Sequence, residues 1–189
     1  MRATRRLLIA LLLLGSITPA VHADVLAKSD SGFVSEHRLQ LAAPPLSAYQ
    51  ALTDEIHRWW DAKHSYSGEA RNFSLDARPG GCFCEALPGG GVEHMRVTHA
   101  APGKRLNLVG GLGPLQELGA SGTMSFVLRA SETGTQLQYR YVVAGAIPEA
   151  LLPGGLAALA DAVDAVQLGQ LKRLQAYLAN PEADAPESR

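Results

Sequence analysis

Cysteine is scarce, with 2 in 189 residues, so no disulfide framework can take the place of a hydrophobic core. A chain of this length does not need one. Charge is sparse and balanced as well, at 19% charged residues and a net charge of −1. That excludes a nucleic-acid binder working through a broad basic surface. At 47% hydrophobic residues, the chain also lacks the composition of a disordered protein. H-x-H, H-E-x-x-H and phosphate-binding loop motifs are absent, and so is the strand-turn-helix serine elbow. Neither a metal nor a cofactor is therefore expected. Glycine and proline are plentiful, at 19 and 11, and they forecast many turns.

Residues 1–23 read as a cleavable signal peptide. Arg2, Arg5 and Arg6 precede the apolar run Leu7 to Leu14, and Val21 and Ala23 place small residues at a cleavage site. The run is shorter than the roughly 20 residues a bilayer span requires. A periplasmic or secreted product is expected, with no membrane insertion after cleavage. The residue directly after the cleavage site is Asp24 rather than a cysteine, which argues against a lipoprotein.

Residues 24–32 read as a loose lead-in. The alternation of Phe33 to Leu41 predicts a strand that ends at Pro44-Pro45. Leu46, Tyr49, Leu52, Ile56, Trp59 and Trp60 follow helical spacing. The helix-ending pair Thr53-Asp54 divides them into two short helices, with Ser47 as the expected first cap. Short strands follow at 73–77, 82–86, 92–99, 105–109, 122–129 and 136–144, separated by Gly- and Pro-rich turns. Leu156 to Ala179 is one long helix, carrying Leu159, Val163, Val166, Leu171 and Leu174 at 3-or-4 spacing. Gly169 interrupts the pattern and reads as a place of close packing or bending. Residues 181–189 form an acidic, Pro-containing tail of the kind that frays.

A long antiparallel sheet has one face to cover, and one long helix remains to cover it. A sheet curled around that helix leaves a cavity between them, where a ligand would sit.

Specific residues resemble a known group. Ala43 to Asp54 followed by Arg58-Trp59-Trp60 resembles the start of a START-like (SRPBCC) domain. The resemblance is nearest to the polyketide cyclase/dehydrase and Hsp-ATPase-activator-like branch. Leu75 to Gly81, Val97 through Pro102 to Leu106, Gly122 to Phe126, and Gly134-Thr135 follow in the matching order. Residues 33–180 would form the domain. The resemblance implies an α+β helix-grip fold: a curved antiparallel sheet of about seven strands wrapped around the C-terminal helix, with two short helices after the first strand. It also implies a deep, mostly apolar cavity, but no single activity.

Several residues qualify as cavity lining. Trp59 and Trp60 either line it or anchor the second helix. On the strands, Met95 and Val97 share one face and His94 and Arg96 the other, by strict alternation. Phe126 shares a face with Met124 and Leu128. Tyr139 and Tyr141 share a face with Leu137, and their hydroxyls meet either a ligand or the core itself. Leu159, Val163 and Val166 would close the cavity from the helix. The Gly-rich segment Gly110 to Gly119 reads as a flap over its mouth.

Cys82 and Cys84 lie on one side of a strand. Packing thiols, a disulfide within or between chains, and a shared soft metal all remain open. Phe83 is expected to face inward, because its burial contributes roughly 1.5–3 kcal/mol. That turns Glu85 inward too, where a carboxylate needs a partner; Arg96 or Arg105 is the expected one. The turn Arg78-Pro79-Gly80-Gly81 should hold at least one glycine at positive φ.

The expected function is non-catalytic binding of a hydrophobic small molecule or lipid. The alternative is a cyclase- or aromatase-type enzyme, in which Tyr139, Tyr141 or His94 would polarise a carbonyl and move protons. Nucleic acid is not an expected partner, and nothing in the sequence selects a protein partner.

Overall fold

The computed structural model describes residues 23–180. The expected signal peptide, apart from its last residue, and the tail lie outside the described residues. The chain folds into one eight-stranded antiparallel sheet and a long C-terminal helix. The strands are β1 (Ala23–Ser29), β2 (Gly32–Leu41), β3 (Phe73–Leu75), β4 (Cys82–Leu87), β5 (Gly90–Ala101), β6 (Arg105–Gly110), β7 (Ser121–Ser131) and β8 (Gly134–Ala144). Their order across the sheet is β1-β2-β8-β7-β6-β5-β4-β3. Tight hairpins join β1 to β2 and β7 to β8, and β4, β5 and β6 form a meander. The closing pair, β2 with β8, brings the first third of the chain against the last strand. The helices are α1 (Pro45–Thr53), α2 (Ile56–Trp59), α3 (Pro114–Glu117) and α4 (Ala157–Ala179). This is the helix-grip architecture, with eight strands rather than about seven.

The additional strand is β1. Residues 24–32, expected as a loose lead-in, pair with β2 from Ala23 opposite His37 to Ser29 opposite Gly32. Lys28 ties the strand to α4 through a 2.8 Å ion pair with Asp161. Its apolar pattern is weak because it is an edge strand covered on one face: Val25 packs on the core while Leu26 is exposed.

Side chains alternate strictly along β2, β7 and β8. Phe33, Leu39 and Leu41, then Met124, Phe126 and Leu128, then Leu137, Tyr139, Tyr141 and Val143 all point to the concave side. The outer face carries a polar network in which Glu36 accepts from Arg38, Gln138 and Arg140 at 2.5–3.2 Å.

Where the chain crosses from β2 to β3, Pro44 and Pro45 start α1 with no side-chain cap, so Ser47 is not the cap. Proline's fixed φ suits the first helical position by itself. Trp59 donates from Nε1 to Ala51 O at 2.8 Å, locking α2 back onto α1. The turn before β4 holds Gly80 at φ +83°, as expected. At Gly81 the Asp76 carbonyl oxygen lies 2.0 Å from where a Cβ would stand, so only glycine fits.

The C-terminal half of α4 buries Leu171, Leu174 and Tyr177. Its N-terminal half buries Ala160 and bonds the strands through Asp161 and Asp164, while Leu159, Val163 and Val166 on its flank are only partly covered. Gly169 has open space where its Cβ would be. It serves no close approach, contrary to the packing reading.

Candidate functional site

A cleft of about 480 Å³ lies along one flank of the N-terminal half of α4. Leu159, Ala162, Val163, Val166 and Gln167 of α4 form one wall. The opposite wall is built from Trp60 and the segment 63–66 after α2, and from Leu112, Gly113, Pro114 and Glu117 of the loop before β7. His94 of β5 completes the lining.

Four of the residues expected as cavity lining do line it: Trp60, Leu159, Val163 and Val166. The others belong to the packed core beneath. Trp59 anchors α2. Phe83, Met95, Val97 and Phe126 are buried among neighbouring strands. Tyr139 donates to Gln167 Oε1 at 2.9 Å, and Tyr141 donates to Gly110 O at 3.2 Å. Burial raises the Tyr139 hydroxyl well above its ordinary pKa and pushes Tyr141 up to about 12. Neither phenol has a proton to lose near neutrality.

The flap segment forms part of the cleft wall. Leu115 plugs into the core, Gln116 donates to Glu93 O at 2.8 Å, and Leu112 N donates to the Tyr141 hydroxyl at 3.4 Å.

The polar centre of the cleft wall is a pair that alternation hides. In the β4–β5 ladder Phe83 faces Met95, but Cys84 faces Glu93. His94 is the extra residue of a β-bulge. A bulge shifts the facing of every residue on one side of it, so His94 is buried beside Met95 rather than opposite to it. Strict alternation had placed it with Arg96 on the outer face.

His94 Nε2 lies 3.1 Å from Glu85 Oε2. Phe83 and Glu85 face inward as expected, at 3% and 1% exposure. The partner of Glu85 is neither Arg96 nor Arg105. Arg96 bonds Glu93 and Gly80 O on the outer side. Glu85 is instead met by His94 and by the backbone amides of Tyr66, at 3.0 Å, and Ser67, at 2.5 Å. Burial works against its charge, but the hydrogen bonds from Ser67, Tyr66 and His94 outweigh it and hold the carboxyl below its ordinary pKa. Burial dominates for His94 and lowers its pKa despite Glu85. At neutral pH the pair is therefore a carboxylate and a neutral imidazole. Since a carboxylate only accepts, the imidazole proton sits on Nε2 and Nδ1 keeps its lone pair.

Aromatic rings fix the imidazole in place. Phe73 and Phe83 each lie 5.2 Å from it, and Tyr66 stacks on it at 5.9 Å. Trp60 packs on Phe73 and Phe83, both at 5.4 Å.

A second buried polar group ties β2 to α4. Ser35 Oγ donates to Asp164 Oδ1 at 2.5 Å, and His37 Nε2 lies 3.0 Å from the same oxygen and 3.2 Å from Ser35 Oγ. A serine nucleophile needs its base on one ring nitrogen and the carboxylate on the other. Here both meet Nε2, so the triangle is structural. Among the described residues, no three metal-ligating side chains gather at one point. Cys82 and Cys84 are joined as a disulfide, with Cα atoms 5.4 Å apart, and flank the inward-facing Phe83. Of the readings left open by the sequence, the structure takes the disulfide within the chain.

No family model matches the chain, and no curated protein matches it. Solved structures do. An uncharacterised protein from Rhizobium leguminosarum has a TM-score of 0.56 at 18% identity, over 85% of this chain and 98% of its own. A protein from Rhodobacter sphaeroides has 0.55 at 23%, over 85% and 100%. CalU16 from Micromonospora echinospora has 0.53 at 18%, over 89% and 88%. Likeness at this identity concerns the fold, and that fold is the one the START-like (SRPBCC) resemblance implies.

Proposed function

We propose that the protein binds a small, largely apolar molecule or lipid in the cleft between α4 and the Trp60 to Tyr66 segment, without transforming it. The observation that carries this reading is the cleft itself. About 480 Å³ is within the range of small-molecule sites. Most of its walls are apolar, from Trp60, Leu112, Pro114, Leu159, Val163 and Val166. The partial exposure of Leu159, Val163 and Val166 supports it further, since a helix with nothing to cover in that space would bury them against the sheet. The signal-like N-terminus makes the periplasm the proposed compartment. The order of START-like motifs, with the polyketide cyclase/dehydrase branch nearest, supports a binding architecture of this type.

A cyclase- or aromatase-type reaction would need two titratable side chains within reach of a common point. Tyr139 and Tyr141 spend their hydroxyls on Gln167 and Gly110. That leaves His94 as the one of the three on the cleft wall; Lys63, His64, Tyr66 and Glu117 also line it, but among the described residues none of their side chains is hydrogen-bonded to His94, so binding is the better supported reading.

Extraction under denaturing conditions and mass spectrometry of protein purified from the periplasm tests it. An apolar molecule should be released from the wild type and be missing from Val163→Trp, which fills the cleft. Release of the same molecule in equal amount from both would refute the site.

A further inference from the structure

Strict alternation puts His94 on the face opposite Met95, and the binding reading above uses only apolar walls. Neither accounts for a buried carboxylate–imidazole pair placed at the cleft. Glu85 and His94 are 1% and 5% exposed. Burying such a pair is costly unless its bonding is complete, and on the Glu85 side it is: two amides and one imidazole N–H converge on the carboxylate. On the other side, His94 Nδ1 makes no hydrogen bond among the described residues, yet it is not one of the sealed, unsatisfied polar atoms of the interior. His94 is itself a lining residue. The lone pair of Nδ1 is thus the open end of a hydrogen-bond chain that begins at the Tyr66 and Ser67 amides.

The direction of that chain is fixed. With the Nε2 proton held by Glu85, Nδ1 can only accept. A ligand carbonyl or ether oxygen finds no donor there, whereas a ligand hydroxyl finds an acceptor for its proton. Glu85 behind the ring makes the imidazole a stronger acceptor, as second-shell carboxylates do for histidines generally. The rings of Trp60 and Tyr66 border the same space, and flat aromatic surfaces favour an offset-stacked aromatic guest.

We propose that His94, backed by Glu85, is the specificity point of the cleft, and that the ligand has an aromatic, apolar body carrying a weakly acidic hydroxyl that it donates to His94 Nδ1. This rests on the binding reading of the cleft. The other titratable groups at the cleft, Lys63, His64, Tyr66 and Glu117, stand along its walls, so recognition at His94 adds to whatever contact they make with the rim of the guest.

The test compares 1-naphthol, 1-methoxynaphthalene and naphthalene by equilibrium dialysis at neutral pH. The naphthol should bind about tenfold tighter than its methyl ether, the difference of one good hydrogen bond. An apolar cleft without the acceptor would prefer the more hydrophobic ether. His94→Phe, which suits the surrounding Phe73 and Phe83, should reduce the preference to about twofold or less. If that variant fails to fold, ¹⁵N NMR of the wild-type imidazole gives the second reading: the Nδ1 resonance should move on adding naphthol and not on adding the ether. Val163→Trp should weaken all three probes. Equal binding of the three probes overturns this inference and spares the cleft. Binding of none overturns the reading of the cleft and this inference with it. Undiminished naphthol affinity in Val163→Trp places the site elsewhere and overturns it too.

Discussion

Glu85 Oε2 lies 3.1 Å from His94 Nε2 although the two residues sit on adjacent strands that alternation would face apart. The bulge at His94 brings them together. Both pKa values lie below their ordinary positions, which gives the sign of an acid dependence. Falling pH first protonates His94 in the unfolded chain, below its ordinary value of 6.5, and then the unfolded carboxyl, below 4.5. Each step stabilises the unfolded state before the folded one. The melting temperature should fall progressively as pH drops from about 6.5. In Glu85→Gln the protein should lose roughly 1–3 kcal/mol at neutral pH, and the gap to wild type should narrow as the pH falls from the unfolded carboxyl's 4.5 down through the folded carboxyl's lower pKa. Thermal melts of both proteins across this range check it; a gap that widens in acid would contradict it.

The disulfide of Cys82 and Cys84 closes a very short ring, so the chain-entropy gain is small, about 1.6 kcal/mol or less. A thiol assay on unfolded, unreduced protein should detect none, and reduction should release both. The double variant Cys82→Ser/Cys84→Ser should fold, with a modest drop in melting temperature. Two free thiols before reduction, or a disulfide-linked dimer on a non-reducing gel, would contradict the pairing.

Gly169 lies inside α4 with open space at its Cβ position. Gly169→Ala should stabilise the protein by roughly 0.5–1 kcal/mol, because alanine loses less backbone freedom in a helix. Chemical denaturation should show a higher midpoint with an unchanged slope. A lower midpoint would mean that the glycine has a conformational role.

Tyr139→Phe removes the donor to Gln167 Oε1 and Tyr141→Phe removes the donor to Gly110 O. Each should cost roughly 1 kcal/mol of stability and leave naphthalene affinity unchanged within about twofold. A large loss of affinity from either would return the phenols to the cleft.

Much of the fold could be read directly from residue patterns. The alternation in Phe33 to Leu41, Met124 to Leu128 and Leu137 to Val143 identifies inner faces because those strands run without interruption beside β8. The stripe Leu159, Val163 and Val166 marks the helical wall for the same reason: a period of 3.6 survives wherever one side stays apolar. What escaped reading has local causes. β1 is an edge strand whose pairing rests on backbone groups, so its side chains carry little pattern. At His94 a single extra residue reverses parity, which misplaced the imidazole and left Glu85 to be matched with arginines. The remaining cleft wall, Lys63 to Tyr66 and Leu112 to Glu117, comes from irregular segments in which no periodicity exists to be read. Gly113 and Pro114 signal a turn there, and the Gly-rich segment around them reads as lying over the cavity mouth, which is where Leu112, Gly113, Pro114 and Glu117 stand.

A crystal structure of the protein grown with 1-naphthol tests the central claim most directly. Density for the naphthalene ring should lie between Trp60 and the Leu159–Val163 face of α4, in a cleft open without displacement of the Leu115 anchor. A cleft filled by its own side chains, or naphthol bound only on another surface, would contradict the account.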